Sequence, residues 1–175
     1  MPENTYSLEK TVMALWEKKR ISSLRDLLLT LQPVQVAGLF EVLPEEARPL
    51  LFRLLPKETA AEVFVELDAE LQAALIRGLT DVELKAIVEE ISMDDAADIV
   101  EEMPANVVHR ILEQASPEAR RTINELLKYP EDSAGSIMTT EFVSLHATDT
   151  VAEAIALIRR TGNDQETVDL TYVVD

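Results

Sequence analysis

The sequence predicts a mainly α-helical fold: a superhelix of short helices on a twelve-residue repeat, followed by an incomplete α/β segment of β-helix-β order. Three observations predict it. An apolar pattern recurs every twelve residues from Leu31, residues that start helices interrupt it at the same place each time, and the period changes after Tyr129.

The repeat is explicit in the residues. Leu31, Leu43, Leu55, Leu67, Leu79, Ile91, Met103 and Ala115 stand twelve apart. Each is followed by Gln32, Pro44, Pro56, Asp68, Thr80, Ser92, Pro104 or Ser116, mostly side-chain N-caps or first-turn prolines. Eight places after each anchor sit Leu39, Leu51, Val63, Leu75, Ile87, Ile99, Ile111 and Ile123. The next place reads Phe40, Phe52, Phe64, Ile76, Val88, Val100 and Leu112, and only Asn124 breaks the series. Twelve residues at about 100° each leave an offset of about 120°, so one unbroken helix would smear these anchors around its surface. Each frame therefore reads as a helix of about eight or nine residues and a tight turn. Helices that short are not stable alone in water, so they must stack. Thr80 with Glu83 and Ser92 with Asp95 match the capping-box pattern, and Pro117 follows Ser116 at a first helical position. Pro49 falls inside its frame and is expected to split it into two short pieces.

Residues 7–19 and 21–31 read as two further helices, with Leu8, Val12, Leu15 and Trp16 at core spacing. The run from Tyr129 to Gly135 is rich in turn formers. Beyond it, Phe142–Leu145 reads as a strand, Val151–Arg160 as an amphipathic helix capped by Thr148 or Asp149, and Leu170–Val174 as a second strand. A strand, helix and strand in that order suit a parallel crossover. An α/β domain begun this way needs more strands, so the sequence reads as a piece of something longer.

Composition narrows the function. The chain has 175 residues, 47% of them hydrophobic, enough to bury a real core. Sixteen Lys and Arg stand against 33 Asp and Glu, a net charge of −17. That balance argues against nucleic-acid binding, which needs basic surface, and against docking on an anionic membrane. With no Cys there are no disulfides, thiolate nucleophiles or Cys-ligated metals. Glycines at 38, 78, 135 and 162 cannot form a dinucleotide or P-loop motif. No secretory leader opens the sequence and no apolar stretch approaches about 18 residues. His109 and His146 belong to no ligand motif, and Ser133 and Ser136 have no His–Asp arrangement, so no enzyme emerges.

The negative charge is concentrated. Residues 66–102 hold twelve acids against Arg77 and Lys85, and residues 129–175 hold nine against Arg159 and Arg160. The densest frame is ISMDDAADIVEE at 91–102. On a helix Asp94, Asp95, Asp98, Glu101 and Glu102 share one arc, and Asp94, Asp98 and Glu101 follow i, i+4, i+7 spacing. Such a cluster is either a solvated face, with Asp94 and Asp95 favoured by the helix dipole, or a surface neutralised by a cation. Oxygen-only donors favour Mg²⁺ or Ca²⁺ over zinc, and the absent DxDxDG loop excludes an EF-hand.

LLFRLLPKETAAEVFVEL, the acidic ISMDDAADIVEEMP and above all the junction LLKYPEDSAGSIMTTEFVSL resemble the cytosolic N-terminal region of the MgtE family of magnesium transporters and channels. The resemblance covers roughly residues 30–175, and the tail is similar to the first half of a CBS motif, with Thr171 to Asp175 at its second strand. It implies a right-handed helical superhelix over 1–128, a junction at 129–140 and a partial CBS domain at 141–175. It implies a Mg²⁺-sensing regulatory region on the cytoplasmic side of the membrane, not an enzyme, belonging to a homodimer whose further CBS and transmembrane parts are its partners. Mg²⁺ as regulatory ligand would favour the closed pore. Residue by residue, the resemblance carries metal ligands onto Asp94 and Asp98, an upstream helix acid onto Glu62, and a backbone carbonyl onto Gly135. Read without it, Glu62 is a solvated helix acid and Gly135 a turn glycine with positive φ. Two other readings remain open: a non-metal interaction scaffold resembling the helical repeats of the flagellar switch protein FliG, and a soluble CBS regulator that binds adenine nucleotide.

Overall fold

The structure is a computed structural model that describes residues 2–130, 133–162, 165 and 167–174. Of the residues singled out above, Glu131, Asp132 and Asp175 lie outside the described residues. Ten helices come first: α1 Pro2–Glu17, α2 Ile21–Leu28, α3 Pro33–Val42, α4 Arg48–Phe52, α5 Lys57–Val65, α6 Ala69–Gly78, α7 Asp81–Val88, α8 Met93–Glu102, α9 Ala105–Gln114 and α10 Pro117–Leu126. Strand β1 (Phe142–His146), helix α11 (Val151–Thr161) and strand β2 (Thr167–Val174) follow. The chain divides into two compact units, residues 1–91 with 99–116, and residues 92–98 with 117–175.

The twelve-residue step governs the helices. From α5 to α10 each helix starts twelve residues after the last. The anchors from Leu43 to Ala115 are buried, as are all eight residues of the series from Leu39 to Ile123. Phe40, Phe52 and Phe64 come from three successive frames and form an edge-to-face ladder, with centroids 6.1 and 6.2 Å apart. In the first unit α3, α5, α7 and α9 pack in succession, so the neighbour of a helix is the one two frames on, and α4 packs on α6.

Helix starts follow local chemistry. Asp68 accepts from the Leu71 N–H at 2.8 Å, and Thr80 and Glu83 cap reciprocally, with Thr80 N–H to Glu83 Oε2 at 2.8 Å. Pro33 and Pro117 lie at first helical positions, but Pro56 and Pro104 stand one place earlier, at the N-cap itself. Their φ of −55° and −59° with extended ψ is the conformation an N-cap takes and a proline ring imposes. The frame at 43–54 holds a turn at 45–47 and the five-residue α4, with Pro49 in its first turn, where a missing N–H costs nothing. Helix α11 is capped by Thr150, boxed with Glu153, and not by Thr148 or Asp149; the Asp149 carboxylate instead accepts from the His146 N–H at 2.7 Å.

Arginines tie distant frames together. Arg53 donates to both Glu83 oxygens, at 2.6 and 3.3 Å, and to the Gly78 carbonyl at 3.0 Å. Arg110 reaches the carbonyls of Ile76 and Leu79 and the Asp81 carboxylate. Two guanidiniums thus cover the carbonyl end of α6, where the helix dipole favours positive charge. The Arg53 side chain, with the Thr80 N–H, holds the Glu83 carboxyl down at about 2 from an ordinary 4.5. A depressed carboxyl contributes stability above its unfolded value and loses it as pH falls toward the folded one. Glu83→Gln is therefore expected to flatten the pH dependence of denaturant stability between about pH 4.5 and 2. The pair is well exposed, so the change at pH 7 should be about 1 kcal/mol or less. An unaltered acid limb would show that the pair adds nothing.

Helix α1 ends in a Schellman turn: Arg20 N–H bonds Leu15 O and Lys19 N–H bonds Trp16 O, both at 2.9 Å. Lys19 holds φ 52°, the left-handed conformation that favours glycine. Lys19→Gly is expected to stabilise the chain by about 1 kcal/mol, read from urea unfolding; a destabilised variant would contradict this.

In the second unit β1 and β2 pair in parallel, with Ser144 opposite Tyr172 and His146 opposite Val174. Phe142 and Tyr172 meet edge to face at 5.2 Å, and Val143 is buried.

Candidate metal centre

Helix α8 carries the acidic frame. Its apolar face is buried through Ala96, Ala97, Ile99 and Val100, which leaves the carboxylates on the opposite arc. The structure sorts them into different jobs. Asp95 is engaged in starting the helix: its N–H bonds Ser92 Oγ at 3.3 Å, and that hydroxyl donates to Asp95 Oδ2 at 2.8 Å. Asp94 is half-buried, and its Oδ1 is shut off from solvent with no hydrogen-bond partner. Asp98 stands one helical turn further on and is exposed, as are Glu101 and Glu102.

A carboxylate oxygen buried without a partner costs free energy, about 1–3 kcal/mol for an unmet polar atom and more for a charged one. A cation beside it would offset that cost. Asp94 with Asp98 supplies hard oxygen donors on neighbouring turns, a set that suits a partly hydrated Mg²⁺ held by one or two carboxylates. These two residues fit such an ion. Among the described residues no group of three or more Asp, Glu or His is close enough to enclose a metal, so water would complete the coordination.

Glu62 and Gly135 are placed separately. Glu62 is exposed on α5, in the first unit, in register with Glu58 and Glu66 along a solvated face. Asp94, Asp98 and Gly135 belong to the second unit. Gly135 lies in the turn at 134–137 with φ that is not positive, so its need for glycine is not conformational. The Tyr129 ring lies over it, and a Cβ added there would fall 2.7 Å from Tyr129 Cε1 and nearer still to Cγ and Cδ1. Close approach selects the residue. Gly135→Ala is expected to displace the Tyr129 ring, visible as a changed tyrosine signal in near-ultraviolet circular dichroism; an unchanged spectrum would count against the packing.

Short capped helices stepped by twelve residues, carrying an acidic helix with a half-buried carboxylate, define an acidic helical-repeat domain. Residues 31–132 match the family model of the MgtE intracellular N domain, and the chain belongs to that family. Its relatives include the magnesium transporter MgtE of Thermus thermophilus, 37% identical over 157 residues, covering 87% of this chain and 35% of that protein. The magnesium transporter MgtE of Bacillus subtilis is 24% identical, covering 94% and 36%. The chain thus spans about a third of the length of these relatives. Among solved structures, the cytosolic domain of the Mg²⁺ channel MgtE in complex with ATP matches with a TM-score of 0.86 at 33% identity, over 95% of this chain and 68% of that one. The soluble part of a magnesium transporter matches with a TM-score of 0.81 at 25% identity, over 98% and 68%. Among the described residues no helix is long and apolar enough to cross a membrane.

Proposed function

We propose that the chain is the Mg²⁺-sensing regulatory region of a magnesium transporter or channel, working on the cytoplasmic side and without catalytic chemistry of its own. The observation that carries this reading is the unpartnered, buried Oδ1 of Asp94 on an acidic helix, in a chain of the MgtE intracellular N domain family. Asp94 and Asp98 are the first ligands in this reading, and Glu62 and the Gly135 carbonyl the secondary ones.

The physics is charge neutralisation. The acidic blocks at 66–102 and 129–175 repel when bare. Mg²⁺ held by carboxylates and water lowers that repulsion and favours the arrangement that keeps the pore shut. The ion can bias the pore only by the difference in its affinity for the two arrangements. In this proposal residues 1–128 are a right-handed superhelical domain, 129–140 the junction and 141–175 the opening of a CBS domain. The partners are the remaining CBS and transmembrane parts and a second copy of the protein. The similar cytosolic domain solved with ATP favours a further reading of the β1–α11–β2 segment as part of an adenine-nucleotide site.

The test is thermal unfolding and limited proteolysis in Mg²⁺ against Na⁺ matched for ionic strength, on this chain and on a longer one that completes the CBS pair. Protection by Mg²⁺ alone, reduced in the Asp94→Ala, Asp98→Ala double variant, supports the sensor. Equal protection by Na⁺ would reduce the acidic blocks to screened surface and favour a metal-free scaffold.

A further inference from the structure

Helix α3 presents an outward face that nothing inside its own unit explains. Val36, Ala37, Leu39 and Phe40 are buried, and the opposite arc holds Val34, Gln35, Gly38, Glu41 and Val42, all exposed. At about 100° per residue, Gly38 stands at the centre of that arc, with Val34 and Val42 one turn to either side and Gln35 and Glu41 on its flanks. Val34 is 59% exposed and Val42 47%. A helix that is apolar on both sides is ordinarily covered on both.

Gly38 is the anomaly. Glycine favours a helix interior least of all residues except proline. Here it lies in mid-helix without a positive φ, and nothing stands within 4 Å of the place its Cβ would take. Neither a turn nor a close neighbour in the unit requires it. Glycine suits a helix face that another backbone approaches closely. Charge points the same way: 28% of the chain is charged, yet residues 27–40 hold no Asp, Glu, Lys or Arg. Depletion of charge marks the centre of protein–protein contacts.

We propose that this face binds a second copy of the chain, its α3 crossing antiparallel at Gly38. The face reads the same in both directions from the glycine, with a valine four places away on each side. A two-fold axis at the crossing sets Val34 of each copy on Val42 of the other and brings the glycines together, as a self-complementary contact requires. The same axis sets Gln35 level with Glu41 of the other copy. Gln35 Oε1 already accepts from the Gln32 N–H at 3.0 Å, which leaves its amide nitrogen as the donor for that carboxylate. A parallel crossing would bring the two Glu41 carboxylates level instead. Each copy carries a net charge of −17, and a face with a single acid is where two such chains meet with least repulsion. A helix about 15 Å long makes a small contact, so the association is weak and depends on concentration. The proposal gives a surface to the second copy invoked above, and it rests on no metal.

The full chain contains no Cys, so single introduced cysteines report pairs of copies cleanly. Val34→Cys and Val42→Cys chains are oxidised mildly in Mg²⁺-free buffer, each alone and then mixed. Val82→Cys on α7, where the valine is 81% exposed, measures random collision. The mixture is expected to cross-link roughly tenfold or more faster than either chain alone or the α7 control. Sedimentation equilibrium should show a mass that rises with concentration. Gly38→Ala should raise the unfolding midpoint yet weaken self-association about fivefold or more, two signs that a purely structural glycine would not give together. A monomer up to about 1 mM, a mixture that cross-links no faster than the control, or Val34→Cys cross-linking equally well by itself overturns the proposal. Because Mg²⁺ is absent throughout, each of those failures leaves the sensor reading standing.

Discussion

Phe52→Ala is expected to cost about 3–5 kcal/mol of stability, among the largest losses available to a single truncation in the helical repeat. Phe52 is the middle rung of the ladder, 3% exposed and edge to face with both Phe40 and Phe64. Truncation removes a large apolar burial and two aromatic contacts together. It also opens the floor of a cleft of about 240 Å³ that Phe52 lines beside Leu55 and Ile87, so the space left behind joins a void already present. Domains of this size are stable by only about 5–15 kcal/mol, so the variant should unfold at much lower urea. Phe40→Ala loses one rung contact and should cost less. A Phe52→Ala loss under about 1 kcal/mol would mean that the ladder is not a structural spine.

Asp94→Asn is expected to move stability in opposite directions with and without Mg²⁺. In Mg²⁺-free buffer the substitution removes charge from a half-buried carboxylate with an unmet oxygen, so the unfolding midpoint should rise or hold. In millimolar Mg²⁺ the intact chain should gain stability by linkage, about 2.7 kcal/mol at a hundredfold excess over Kd, while the variant loses most of that gain. Asp95→Asn is the contrasting change. It weakens the hydroxyl–carboxylate contact that starts α8 and should cost about 1 kcal/mol in either buffer. Thermal unfolding in both buffers reads these signs. If Asp94→Asn is destabilised equally with and without Mg²⁺, Asp94 is a structural residue and no ligand.

The repeat was legible because it rests on local rules. Burial every twelve residues, caps at the frame starts and the parallel strand pair all follow from spacing and helix termini. What escaped depends on residues far apart or on alternatives of equal local merit. Arg53 and Arg110 reach carboxylates thirty and twenty-nine residues away, a distance that only the stacking of alternate frames closes. Thr148, Asp149 and Thr150 are all good caps. Thr150 prevails because Glu153 stands three residues on, a spacing present in the sequence, while Asp149 closes the preceding turn. Gly135 is set by a tyrosine ring overhead, which no local pattern announces. For the candidate metal centre, spacing marked Asp94, Asp98 and Glu101 alike and the family resemblance singled out Asp94 and Asp98, yet only side-chain geometry separates a carboxylate occupied in capping from one left with a buried, unmet oxygen.

Because α3, α5, α7 and α9 pack on the helix two frames away, the natural increment of length in this fold is twenty-four residues, not twelve. Duplicating one frame would keep every cap and every apolar place in phase along the chain, yet change the partner of each helix whose neighbour two frames on lies across the insertion, and a frame placed between Arg53 and Glu83 would part that pair. Duplicating two would leave each later helix its former kind of neighbour. Viable length variants should therefore come in pairs of helices, an odd-and-even rule invisible to any measure of local pattern.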